Sequence, residues 1–405
     1  MDDLRPDRPD VGLPPSAGVV SDRPSITDAA PHAPRTGRLS APWVIVLVIV
    51  AAVGVIAGIH LLANRSFDAA LAEQRSATAR LGDEIAVLAT ATDDAVRTVE
   101  ASRAVIDHAA DDMVDPAART VLAEATATLG AAVARAEAHL AEEIPGLPAK
   151  PMWTWELLAA MPRIEATTTG LSALAADMRT AEEGVDQADR DVVDAAATVY
   201  ASVPAAAAQL EAANVSAVNF VVLDFREDAE SAADQTLVGS HAAVAFRDYA
   251  YSVAALKTSA QNELAEKAGP LMATRLEIEA FARSISGGVR LDFDWAPTVL
   301  GIGGSRGMAG TATWVPMRGG FSTITLSDSV AENWPSADAR ALVAHEVGHS
   351  ITAKCSHMFD SANDAANEQW ATAWAISMGH VAEGNGTQAY GYPPAELIAT
   401  AAACR

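Results

Sequence analysis

The sequence predicts an α+β protein built in series: a single transmembrane helix, a long α-helical bundle or coiled-coil stalk, and a small C-terminal domain with a short sheet and one motif-bearing helix. Three observations predict this. Trp43 to Ala63 is a 21-residue stretch with no formal charge. From Ser66 to about Ile285 the chain is Ala-rich, with apolar residues recurring at three- and four-residue steps. Beyond Ser286 the glycines and tryptophans gather, and short alternating runs surround a His-Glu-x-x-His motif at 345–349. The expected boundaries are a disordered Pro-rich tail over 1–42, the transmembrane helix over 43–63, a helical region over 64–285 and the C-terminal domain over 286–405.

The tail carries eight of the twenty prolines and no hydrophobic periodicity, so it cannot bury enough apolar surface to order itself. The 21 residues that follow would span about 31 Å as a helix, the thickness of a bilayer core. The tail is too long for the charged region of a signal peptide, and Leu61-Leu62-Ala63 makes a poor cleavage site. Arg35 and Arg38 precede the span and Arg65 follows it, which places the tail in the cytoplasm and residues 64–405 outside. At 405 residues there is room for two domains. A formal net charge of -24 excludes a nucleic-acid partner, because phosphate binding needs a basic face, and suits a soluble surface domain.

After the span, Ile85, Leu88, Ala95, Val99 and Ile106 form a seam of the kind used in bundles and coiled coils. Such a seam also allows self-association. Asp115-Pro116 breaks it, with Asp as cap and Pro at the first helical position. A second helix to about Glu143 sets Val121, Leu122, Ala125, Leu129, Val133 and Leu140 on one side, so the two form an antiparallel hairpin. Ile144 to Pro151 is a Pro-rich elbow followed by Trp153 and Trp155. Helical patterning resumes from Trp155 to Val203 and again from Pro204 to Phe281. Strands are expected at Val289–Trp295, Gly310–Val315 and Phe321–Leu326, joined by Gly-rich turns. Gly301 to Gly307 is no phosphate loop, since position 306 is Arg and no helix follows.

Ser336 then offers an N-cap with Asp338 in the first turn, and the helix it opens carries the motif at its centre. Four residues apart on a helix, His345 and His349 present both imidazoles on one face, where they can grip one cation. Zn²⁺ suits such nitrogen ligands, and a catalytic zinc takes three protein ligands with the fourth position left for water. Glu346 sits beside that water as the general base. Tyr390, Tyr392 and His380, all further along, are candidates for stabilising an oxyanion.

A second helix from about Asp364 to Met378, stopped by Gly379, carries Asn367-Glu368, nineteen residues after His349. His345-Glu346-x-x-His349 followed by this Asn-Glu pair resembles the gluzincins, the thermolysin-like zinc metallopeptidases; the resemblance covers about 35 residues. Metzincins have a different pattern, with glycine and histidine where this chain has Thr352 and Cys355. The resemblance implies a zincin-like fold, with His345, His349 and Glu368 as zinc ligands and Glu346 as base. Thermolysin-like enzymes have an aspartate four residues after the third ligand, where it orients a histidine; here Thr372 stands there, so Thr372, Asn367 or another group must serve. His357, Asp360 and Asp364 are the other residues from which a third ligand could come.

The sequence therefore predicts a membrane-anchored zinc metallopeptidase acting on a peptide or protein, which would add as a strand at the edge of the sheet. A membrane-tethered scaffold or sensor with a non-catalytic metal site is the alternative. Cys355 and Cys404 either bridge, closing a loop of about 50 residues worth roughly 4 kcal/mol, or remain two buried thiols.

Overall fold

The computed structural model describes residues 41–405, so the Pro-rich tail with Arg35 and Arg38 lies, except for its last two residues, outside the described residues. The described chain divides into two units at Arg65. Helix α1 is continuous from Ala41 to His108. Up to Arg65 it is apolar and its large side chains are exposed, and its most apolar window has a mean hydropathy of 2.9. The helix is long and apolar enough to cross a membrane.

From Ser66 onward the protein is mostly helical. Leu81, Leu88, Ala95, Val99 and Val105 of α1 are buried at steps near a heptad, and Ile85 and Ile106 pack partly buried beside them. The Asp115 carboxylate accepts the amide of Ala117 at 3.0 Å and Pro116 opens α2, Pro116–Leu140. Leu122, Leu129 and Val133 face inward, whereas Val121 is exposed. Adjacent helical residues point about 100° apart, so Leu122 excludes its neighbour from the same face.

Helix α3 runs unbroken from Thr154 to Ala213, where a break at Pro204 was expected. Pro in a helix interior costs about 3 kcal/mol. Burying Val199, Val203 and Leu210 in the core flanking it contributes about 1.5–3 kcal/mol each and overrides that cost. Helices α4, Asn219–Ala233, and α5, Ser240–Glu266, complete this first core, with Phe225 and Tyr249 packed at 5.8 Å.

Helix α6, Met272–Ile285, belongs by packing to a second core, although its pattern reads as a continuation of the bundle. Ile278 and Ala282 meet Leu291, Phe293, Ile324 and Val343 in the same apolar cluster. Its Glu279 is fully buried and neutralised by Lys267 at 3.2 Å and Arg283 at 3.2 Å, and it accepts the indole N–H of Trp295 at 3.1 Å.

The second core is built on a three-stranded sheet of β1, Arg290–Ala296, β2, Gly310–Val315, and β3, Phe321–Ser327, in the order β1-β3-β2. β1 runs parallel to β3 and β2 antiparallel to it, with Ile324 opposite both Phe293 and Ala312. Asn219 pins α4 to this sheet, its amide donating to Asp292 at 2.8 Å and its side chain to the Ser322 carbonyl at 2.9 Å. Between β1 and β2 the Gly-rich segment forms a bridge between Val299 and Ile302 and one 3-10 turn, and no α-helix follows it. After β3 come α7, Asp328–Glu332, α8, Ala337–Ser350, α9, Thr352–Cys355, α10, Asp364–Ser377, α11, Thr387–Tyr390, and α12, Ala395–Ala401. Cys355 and Cys404 form a disulfide, and the Trp374 indole donates to the Cys404 carbonyl at 3.0 Å, so the chain's end is tied to α10.

Candidate metal site

Helix α8 begins where the sequence expects, the Ser336 hydroxyl accepting the Ala339 amide at 3.2 Å. It is buried along nearly its whole length, and its only glycine sits between the two histidines of the motif. Gly348 is there for space. A Cβ at this position would lie 2.7 Å from the Ala371 carbonyl oxygen and 2.8 Å from its Cα, so α10 crosses α8 with the two backbones nearly touching. That crossing delivers Glu368 of α10 to the histidines of α8. His345 Nε2 lies 3.1 Å from Glu368 Oε2, His349 Nε2 lies 3.3 Å from the same oxygen, and the two nitrogens are 3.2 Å apart. Three donor atoms thus converge in a group that could hold one metal ion.

The orientation of His345 is set from behind. Its Nδ1 is 2.9 Å from the carbonyl oxygen of Asn385 and 3.3 Å from the Thr372 hydroxyl. A carbonyl can only accept, so Nδ1 carries the proton and Nε2 keeps its lone pair for the trio. The carbonyl belongs to a tight turn, Glu383–Asn385, followed by Gly386 at φ +93°. A Cβ on Gly386 would stand 2.8 Å from the Thr372 hydroxyl and 2.9 Å from His345 Cε1. Gly384 is equally confined, since its Cβ would fall 2.1 Å from the Asp338 carbonyl at the start of α8. The side chain of Asn385 is buried and holds the turn's shape, donating to the His380 carbonyl at 3.0 Å and accepting the Thr387 amide at 3.0 Å.

Glu346 is buried beside the trio, and its Oε2 has no hydrogen-bond partner in the protein. Its room is made by the edge strand: a Cβ on Gly310 of β2 would lie 2.7 Å from Glu346 Cγ and 2.8 Å from Oε1. Burial pushes this carboxyl up to about 7, with His345 pulling it down and the Glu368 charge pushing it further up. Glu368 goes the other way. Burial would raise it, but the close approach of the two imidazoles outweighs this and holds it well below the usual carboxylate range.

Tyr390, at the end of α11, stacks on the His345 ring at 5.9 Å with the planes 8° apart. Burial, and then the negative charge of Glu368, raise its pKa. Tyr392 is 72% exposed. His380 packs edge-on to Phe281 at 5.5 Å, with its pKa lowered by burial and by Arg340. His357, Asp360 and Asp364 do not join the three donors among the described residues. Asn367 is committed elsewhere, donating to the Ser361 carbonyl at 2.8 Å. Sequence reasoning missed Asn385, Gly386 and Gly310. The Gly384-Asn385-Gly386 run is a turn signal, but its role in holding His345 is carried by a backbone carbonyl that any residue has.

Comparison of the chain with protein-family models, with curated proteins and with solved structures finds no match to any of the three.

Proposed function

We propose that this chain is a membrane-anchored, zinc-dependent metallopeptidase of the gluzincin type, with residues 286–405 as a small zincin-like domain held outside the membrane. The observation that carries this reading is the buried, unpartnered Oε2 of Glu346 beside three convergent donors. A closed structural metal site has no use for a free carboxylate, and burying one unpaired is costly.

The donor set suits zinc. Tetrahedral bonds of about 2.0–2.1 Å set neighbouring ligands about 3.3–3.4 Å apart, close to the 3.1, 3.2 and 3.3 Å separations of this trio. Two imidazoles and one carboxylate make a three-ligand set with a position open. Bound there, zinc would polarise a peptide carbonyl and lower the pKa of its water to about 7.

The protein's own residues would do the rest. Glu346 Oε2 takes the proton from the attacking water and delivers it to the departing amine. Tyr390, stacked on His345, turns its hydroxyl to the developing oxyanion. β2 pairs only with β3 among the described residues, so its outer edge can accept an extended peptide as a further strand alongside Glu346. The Cys355–Cys404 disulfide supports an oxidising compartment for this domain, hence a cytoplasmic N-terminus.

The test is zinc content and peptide hydrolysis of the purified full chain beside its Glu346→Gln variant. One zinc per chain in both, with hydrolysis only by the wild type, is expected. Zinc in both without hydrolysis by either across a broad peptide library would replace the peptidase with a non-catalytic metal-binding domain on a helical scaffold.

A further inference from the structure

Two of the seven tryptophans beyond Arg65 are solvent-exposed, and they stand side by side. Trp153 and Trp155 are 54% and 65% exposed and stack at 5.1 Å with their planes 10° apart, while the other five are buried or partly buried. Met152, 78% exposed, and the exposed Leu147 and Leu158 lie next to them in sequence. The patch occupies the elbow between α2 and α3 and the first turn of α3.

The position of this elbow is set by α1. Lys150 Nζ is 2.6 Å from Asp68 Oδ1 and sits 6.0 Å over the Phe67 ring. Gly146 and Pro148 line one small cavity with Gln74 of α1 and Arg163 of α3. Asp68 is five residues along the chain from Ala63, where the apolar stretch ends. Five residues rise about 7.5 Å as a helix and reach no more than about 17 Å even fully extended. The headgroup region of a bilayer is about 5–8 Å deep on each side of the hydrocarbon core.

We propose that Met152, Trp153 and Trp155 form an aromatic anchor that inserts into the headgroup layer of the bilayer crossed by residues 43–63. The inference rests on the membrane-spanning reading of that stretch. Tryptophan prefers this layer because its ring is apolar and its indole N–H remains hydrated. The neighbouring charges are mixed, Glu142, Glu143 and Glu156 against Lys150 and Arg163, so the contact is apolar and does not require anionic lipid. With the chain already tethered at Ala63, a second contact at the elbow would fix the tilt of the helical region on the membrane.

The test uses the full chain in phosphatidylcholine vesicles, labelled with an environment-sensitive fluorophore at one introduced thiol. Both native cysteines are bridged, so each introduced thiol is the one that reacts. Met152→Cys reports on the anchor, Ile49→Cys on the span, and Met317→Cys, exposed in the β2–β3 turn, on open water. We expect iodide quenching at 152 to be about threefold or more weaker than at 317, and brominated lipids to quench the label at 152. Vesicles with added anionic lipid should give the same result. Iodide reaching 152 as freely as 317 while 49 is shielded overturns the anchor and leaves the span standing. Shielding at 152 without quenching by brominated lipid overturns it in favour of burial of the elbow against protein, this chain's own or a second copy's. Iodide reaching 49 overturns the span and the anchor together.

Discussion

The Nδ1–H of His345 donates to the backbone carbonyl of Asn385 at 2.9 Å, 40 residues further along the chain. This carbonyl sets the ring's orientation and tautomer. The Thr372 hydroxyl, at 3.3 Å, is the longer contact.

Gly386→Ala should therefore weaken metal binding more than Thr372→Val does. The alanine Cβ meets His345 and Thr372 and cannot easily hold φ +93°. Losing the partner of a ligand histidine typically costs about 10–100-fold in metal affinity, and this is the loss expected for Gly386→Ala. Thr372→Val should cost less than about threefold, since the Asn385 carbonyl remains. Chelator competition on both variants measures the difference, and equal losses would assign the orienting role to Thr372.

Glu368→Ala removes one of three donors and leaves the two imidazoles of one helix. Zinc affinity should fall by about 100-fold or more, with the thermal stability of the metal-free protein nearly unchanged. Unchanged metal content would remove Glu368 from the ligand set.

Replacing Gly348 by alanine pits helix propensity against packing. Alanine favours the helix by about 1 kcal/mol, but its Cβ would drive into the Ala371 backbone, and overpacking of this kind costs about 1–3 kcal/mol. We expect net destabilisation accompanied by weaker zinc binding, because forcing α8 from α10 separates the donors. Thermal melting with chelator titration reads both; a more stable variant with intact affinity would show that the helices can part without cost.

Asp292 gives a pH dependence away from the metal. Burial raises its carboxyl, with hydrogen bonds from Thr323 and the Asn219 amide pulling it partly back. A raised folded-state pKa means that the protonated form favours the fold. Its stabilising effect is complete below the unfolded value near 3.9 and is lost as pH rises through the folded value. Asp292→Asn keeps an acceptor for Asn219 and has no proton to lose. Its melting temperature relative to wild type should climb as pH is raised from about 4 to about 7. A constant difference would mean that Asp292 does not titrate in that window.

Cutting the disulfide with Cys404→Ser should destabilise the second core by up to about 4 kcal/mol, because the bridge spans 49 residues and encloses α10. Melting with and without reductant checks it: the wild type should fall toward the variant and the variant should not move.

Local chemistry was legible from residue order. Asp115-Pro116 and Ser336 start helices because a cap needs only its own neighbours, and Leu88, Ala95 and Val99 mark an inner face because helical period is local. The pairing of His345 and His349 follows from the same period. Where two residues compete for one face, as Val121 does with Leu122, or where distant burial overrides a break, as at Pro204, order alone misleads. Only the tertiary structure decided that β1 runs parallel to β3, that α6 packs with the sheet, and that Gly348 lets α10 bring Glu368 to the histidines. It alone supplied the Asn385 carbonyl as well, because a backbone oxygen is the same in every residue and acquires a role only from where the chain carries it.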